Sequence, residues 1–177
     1  MDDWRAAIVE LIHLQQAVNE ADRSGLWQWH LPEVAASADE LEAAEARLGY
    51  ALDPGLRGFL RFANGWKRFC QTIDLFGTKE LCDVDRMKLV RRQLVEALPP
   101  DLLSSVAEDA ESLQPIAAAE HDKDVFVAPV SHRRMSGTII WLAGEEVDRF
   151  GSFDEFFGSM VEYNRRVLRR LLEPEAL

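Results

Sequence analysis

Two cysteines and four histidines are the side chains most suited to nucleophilic or metal chemistry in this chain, and their spacing argues against both. His13 falls in a helical pattern, His30 beside a pair of tryptophans, and His121 and His132 near strand ends. Zinc sites draw on closely spaced Cys or His pairs, and none occurs here. The run His121-Asp122-Lys123-Asp124 could donate ligands, but it reads first as a polar turn. Cys70 has no neighbouring signature of an activated thiol, and Ser131-His132 are only sequence neighbours, whereas a triad is defined by geometry. Glycine-rich phosphate loops of the Walker or dinucleotide type are missing. The expectation is therefore no catalytic residue, no metal and no cofactor.

Charge is the stronger signal. The 177 residues carry 31 acids against 20 lysines and arginines, a net charge of −11, which disfavours a nucleic-acid binder because phosphate contacts need a basic face. Residues 1–50 hold ten acids and three bases and residues 101–150 ten and four, while residues 51–100 reverse the balance with six and nine. Such asymmetry either solubilises the surface or steers a basic partner onto it. Acids gather near the expected strand ends at Glu120, Asp122, Asp124, Glu145, Glu146 and Asp148, which makes them candidate partner contacts. Trp66 joins that set because tryptophan is enriched at binding hot spots, although a core role is its simpler reading. Acids at Asp2 and Asp3 replace the basic start of a secretory signal, no apolar run reaches the length of a membrane span, and two cysteines make no disulfide framework; a cytoplasmic protein with reduced thiols is expected.

The elements that position these residues are legible from caps and periods. Trp4, Ala7, Ile8, Leu11, Leu14 and Val18 share a helical face that should end near Asp22, before Gly25. Trp27 to Pro32 alternates and reads as extended, with Pro32 barring a central strand. Ser37-Ala38-Asp39-Glu40 has the form of a capping box, and Gly49 suits a left-handed C-terminal cap. Asp53-Pro54 starts a second short helix that ends at Asn64-Gly65, so the two should form a compact hairpin. Gln71–Phe76 reads as a strand. Residues 83–110 return to helical spacing, broken at Pro99-Pro100, with Arg86, Lys88, Arg91 and Arg92 as a solvated face. Strands follow at Leu113–Ala117, Asp124–Pro129, Thr138–Leu142 and Glu146–Phe150, antiparallel because their links are short. Ser152 to Glu155 resembles another capping box, opening a long helix with Phe153, Phe156, Phe157, Met160 and Val161 on one face and arginines near its end.

The order of these pieces resembles the SUKH superfamily. The matching stretches are Leu41 to Gly49 for a helix ending in Glu-x-x-Leu-Gly, Leu52-Asp53-Pro54, then Phe59 to Gly65 for the Phe-Leu and Asn-Gly pattern. Leu113 to Ala117 is similar to the family's Pro-Ile-Ala strand, Asp124 to Val127 follows it, and Ser152 to Phe157 resembles its Ser-Phe-x-x-Phe helix start. Asp53 between Leu52 and Pro54 departs from the family's Leu-Pro but keeps the cap. The likeness covers roughly residues 37–172, with residues 1–36 as a helical extension and 83–110 as an enlarged connection. It implies one α+β domain: a mixed, mainly antiparallel sheet of about four to six strands, N-terminal helices and a long C-terminal helix packed against it. It also implies a non-enzymatic scaffold, either an immunity protein that neutralises a basic bacterial toxin domain such as a nuclease or deaminase, or a regulatory adaptor related to cell-wall synthesis regulators.

Overall fold

The computed structural model describes residues 3–106, 109–120 and 122–173; Asp2 and His121 lie outside them. The helices are α1 (Trp4–Ala21), α2 (Ala38–Leu48), α3 (Pro54–Leu60), α4 (Thr78–Leu81), α5 (Val84–Ala97), α6 (Pro100–Val106) and α7 (Phe153–Leu172). The strands are β1 (Trp66–Cys70), β2 (Ile73–Leu75), β3 (Leu113–Ala119), β4 (Val125–Ser131), β5 (Arg134–Met135), β6 (Ile139–Leu142) and β7 (Glu146–Phe150). They form one antiparallel sheet in the order β1-β2-β3-β4-β6-β7, with the short β5 paired to β4. The α+β class, the antiparallel sheet and the long C-terminal helix agree with the sequence reading.

Caps fix most helix starts. Ser37 and Glu40 close the full reciprocal box on α2, and Gly49 takes φ 80° after its last turn. The carboxylate of Asp53 accepts from Gly55 and Leu56 N–H to start α3. At α7 only half the box forms: the Ser152 hydroxyl accepts from Glu155 N–H, while the Glu155 carboxylate turns back to Gly151 N–H at 2.7 Å. The expected α2–α3 hairpin is replaced by a looser link. Arg57 pairs with Glu45 at 3.4 Å, but α2 packs chiefly against α4, a short helix the sequence did not announce.

Both faces of the sheet are covered, which is why every residue of β3 is buried. On one face α1 and α7 lie side by side and enclose an aromatic cluster. Phe156 meets Phe126, Phe69 and Phe150 at 5.0–5.7 Å, and Trp4 sits edge-on to Phe59 and Phe157. On the other face α5 lays Met87, Val90 and Leu94 inward and adds polar pins. The Arg91 guanidinium donates to Leu113 O at 3.1 Å, and the Tyr50 hydroxyl to Gln114 Oε1 at 2.6 Å. Arg86 pairs with Asp74 at 3.7 Å and lies 4.7 Å over the Phe76 ring. Two of the four cations expected on a solvated face are thus tied to the sheet; Lys88 and Arg92 remain exposed.

The Asn64-Gly65 pair has a packing reason. The Asn64 amide donates to Thr78 Oγ1 and accepts from Thr78 N–H, and Asn64 O comes so near Gly77 that a Cβ there would stand 2.1 Å away. Gly65 adopts φ 97°, open chiefly to glycine, and a Cβ on it would meet Gly77 N at 2.7 Å. Pro115 is tolerated in a central strand because β2 reaches along β3 only to Ala117, and a register shift falls between Pro115 and Ala117.

The main element missed from sequence is β1. Residues 66–70 oppose only residues 73–75, so β1 is bulged, with Arg68 at φ 54°, followed by Gln71 at φ 53° in the turn. A bulge erases the two-residue alternation by which a strand is recognised, so the sequence showed one strand, from Gln71, where a hairpin stands.

Candidate interaction surface

The antiparallel register sets which loops meet. Ile73 lies opposite Ala119, and Val125 opposite Leu142. The β1–β2, β3–β4 and β6–β7 turns therefore all emerge at one end of the sheet. The last two are adjacent: a Cβ on Gly144 would come within 4.0 Å of Lys123 Cδ. Glu120, Asp122, Asp124, Glu145 and Glu146, read from sequence as strand-end acids, are thereby brought together. Asp148 stands further along β7, opposite Trp141.

The six acids are not equivalent. Asp124 is half-buried and accepts the Trp141 Nε1–H at 2.6 Å. Glu146 receives two bonds from the Arg149 guanidinium, at 2.8 and 2.7 Å, and these hydrogen bonds hold its carboxyl below the usual glutamate range. Glu120 and Asp122 line a cleft of about 450 Å³ together with Asp74, His30, Thr72, Lys67, Arg68 and Arg86. That cleft is mixed in charge, not acidic. Asp122, Glu145 and Asp148 are exposed, and no ion pair engages them among the described residues.

Trp66 does not belong to this surface. It is 1 % exposed, its ring meets Phe69 at 5.8 Å, and its Nε1–H donates to His30 O at 2.8 Å. As a strand residue facing the core it cannot touch a partner in this conformation. The half-buried Trp141 borders a groove. It lines about 440 Å³ between β7 and α7 with Tyr163, Asp148, Glu155 and Glu162. Neither the groove nor the cations of the cleft were foreseen, because their residues come from several separate elements that only the folded sheet and its flanking helices bring together.

Neither cysteine is an activated thiol. Burial pushes the Cys70 thiol up to about 12, so it stays protonated, and the half-buried Cys82 is also raised by burial. Burial likewise pushes the Tyr50 phenol up to about 12. His132 is exposed at φ 48° in the β4–β5 turn, where it and Arg133 supply the two positive φ angles that a tight hairpin needs. Among the described residues no group of three or more His, Cys, Asp or Glu is placed to hold a metal ion, and no helix is long and apolar enough to cross a membrane.

The chain is thus an antiparallel sheet clad by helices on both faces, with charged turns gathered at one end. Residues 35–159 match the SMI1 / KNR4 family (SUKH-1), and the chain belongs to that family. This family covers immunity proteins and cell-wall synthesis regulators and is generally non-enzymatic. No curated relative matches the chain.

Proposed function

We propose that this protein is an immunity protein that neutralises a cognate bacterial toxin, such as a nuclease or deaminase, by covering a basic surface of the toxin domain. The observation that carries this reading is the meeting of two acidic turns at one end of the sheet, with Asp122 and Glu145 there, and Asp148 along β7, exposed and outside any ion pair among the described residues. Opposed fields of this kind raise association rates and hold the partner where nucleic acid would otherwise sit. The net charge of −11 and the family support the same reading.

The test is to recover the partner from lysate of the source organism and to express it alone and together with this chain. One stoichiometric basic protein, lethal alone and harmless in the pair, is the expected result. The double reversal Asp122→Lys with Glu145→Lys should then slow association about tenfold or more and flatten its salt dependence. Unchanged rates would remove the acidic end from the interface. The second reading, a regulatory adaptor, is favoured by the mixed-charge cleft of Lys67, Arg68 and Arg86 against Asp74, Glu120 and Asp122, which suits partners of either sign. Its signature is several weak partners and no toxic one.

A further inference from the structure

The Trp141 ring is unusually well fixed for a half-buried side chain at the sheet margin. One of its faces stacks on Phe126, with centroids 5.1 Å apart and planes 28° apart, and its Nε1–H is held by Asp124 at 2.6 Å. The rest of the ring borders the groove between β7 and α7. Asp148 stands directly opposite Trp141 across the β6–β7 ladder, so both side chains leave the sheet on the same face. Glu155 and Glu162 come down from α7. Three carboxylates, of which Glu162 is paired with Arg165, therefore share the groove with three aromatic residues, Trp141, Phe150 and Tyr163, and with one cation, Arg166, which is exposed and makes no ion pair among the described residues.

We propose that this groove binds an arginine or lysine side chain projecting from the partner protein. The idea rests on the reading above that the partner is basic, and it adds the place and manner of contact. A guanidinium can lie on the fixed Trp141 face while bonding to Asp148, and cations are held best by tryptophan. An anion would meet three carboxylates, and an apolar group would strip them of water without compensation. Strand addition along β7 is disfavoured because Arg149 N–H already donates to Asp148 at 2.8 Å and Gly151 N–H to Glu155 at 2.7 Å. The partner is thus gripped by a side chain and not by its main chain.

The probe is a short blocked glycine-serine peptide with one central arginine, compared with its citrulline twin, which has the same shape and no charge. Binding is followed by the NMR signal of the Trp141 indole N–H, assigned with Trp141→Phe. The arginine peptide should shift that signal and bind about tenfold more tightly than the citrulline peptide. Glu155→Gln with Glu162→Gln should weaken it about fivefold, and Arg166→Ala, which removes the competing cation, should strengthen it about twofold. Equal binding of the two peptides, or a Trp141 signal that does not move at millimolar peptide, overturns the proposal. A toxin-type partner bound equally by the wild type and the Glu155→Gln/Glu162→Gln variant overturns the groove and leaves the acidic-end reading standing. An arginine-selective groove in a chain with no basic partner does the reverse.

Discussion

The two edges of the sheet solve the same problem in opposite ways. At β1 the outer edge is roofed. The segment after α1 runs along it, with Glu33 N–H donating to Gly65 O at 2.9 Å and His30 O receiving the Trp66 indole. From α1, Gln15 is 4 % exposed and donates its amide to Phe69 O at 2.6 Å, with Arg68 O at 3.4 Å. At β7 none of the described residues roofs the edge; Val147 is 46 % exposed, and nearby carboxylates occupy two of the main-chain donors. An edge may thus be closed by burial, which adds stability but freezes the surface, or by charge, which leaves the surface open to a partner. The roofed edge should carry stability and the charged edge recognition.

The largest expected effect tests that division. Trp66→Ala removes a fully buried ring from the roofed edge and should cost about 3–5 kcal/mol in urea unfolding, whereas Val147→Ala at the open edge should stay within about 0.5 kcal/mol. Comparable losses at the two edges would break the comparison. Gln15→Leu should come next, at about 1–3 kcal/mol, because the Phe69 carbonyl loses a buried donor that water cannot replace. Gln15 Oε1 has no partner among the described residues and borders a void of about 10 Å³, so the amide's value lies in the hydrogens it donates.

Alkali should separate the edges without mutation. Cys70 lies at the roofed edge, and its thiol is raised from a usual value near 9 to about 12 by burial. Between those values the unfolded chain releases a proton that the folded chain keeps, so stability is full below pH 9 and falls as pH rises. At pH 10 the Cys70 share of that loss should be on the order of 1 kcal/mol, and Cys70→Ala should abolish it. Tyr50 adds a similar slope above pH 10, on the α5 face. An unfolding free energy that is flat from pH 8 to 10 in the wild type would show that Cys70 is open to solvent.

The same contrast explains what could be read from the sequence. Helices α2, α3 and α7 were legible because their starts are local chemistry: Ser37 with Glu40, Asp53 before Pro54, Ser152 with Glu155. The antiparallel pairing of β3, β4, β6 and β7 was legible because their links are short, and that same shortness brought the acids of residues 120–124 and 143–146 together. What stayed hidden depends on departures from period. The β1 bulge at Arg68 removed the alternation that marks a strand, and with it the sign that Trp66 points into the core. The cleft cations Lys67 and Arg68 stand on β1 and Arg86 on α5, so no window of sequence holds them with Glu120 and Asp122. Whether an acid is free or spoken for, as Glu145 differs from its neighbour Glu146, depends on where one arginine side chain turns.

The smallest effect concerns the charged edge itself. Glu155 is exposed, so losing its bond to Gly151 N–H lets water in, and Glu155→Ala should cost only about 0.5–1 kcal/mol, including the lost interaction with the α7 dipole. Its consequence for association should be larger than its consequence for folding. With Asp148→Ala added, Arg149 and Gly151 N–H both lose their local acceptors and two negative charges leave the margin. An uncapped edge of that kind pairs with its like, so the average mass in sedimentation at high concentration should rise above that of the wild type. Glu155→Gln with Asp148→Asn keeps side-chain oxygens that can accept while removing the charge, and it separates the two causes. If this amide pair stays at the wild-type mass, the hydrogen bonds close the edge; if it associates as the alanine pair does, repulsion closes it. Unchanged mass in all variants would mean that geometry alone, through the register shift that skips Val147 between Asp148 and Glu146, keeps β7 from pairing, and the comparison between a roofed and a charged edge would have to be redrawn.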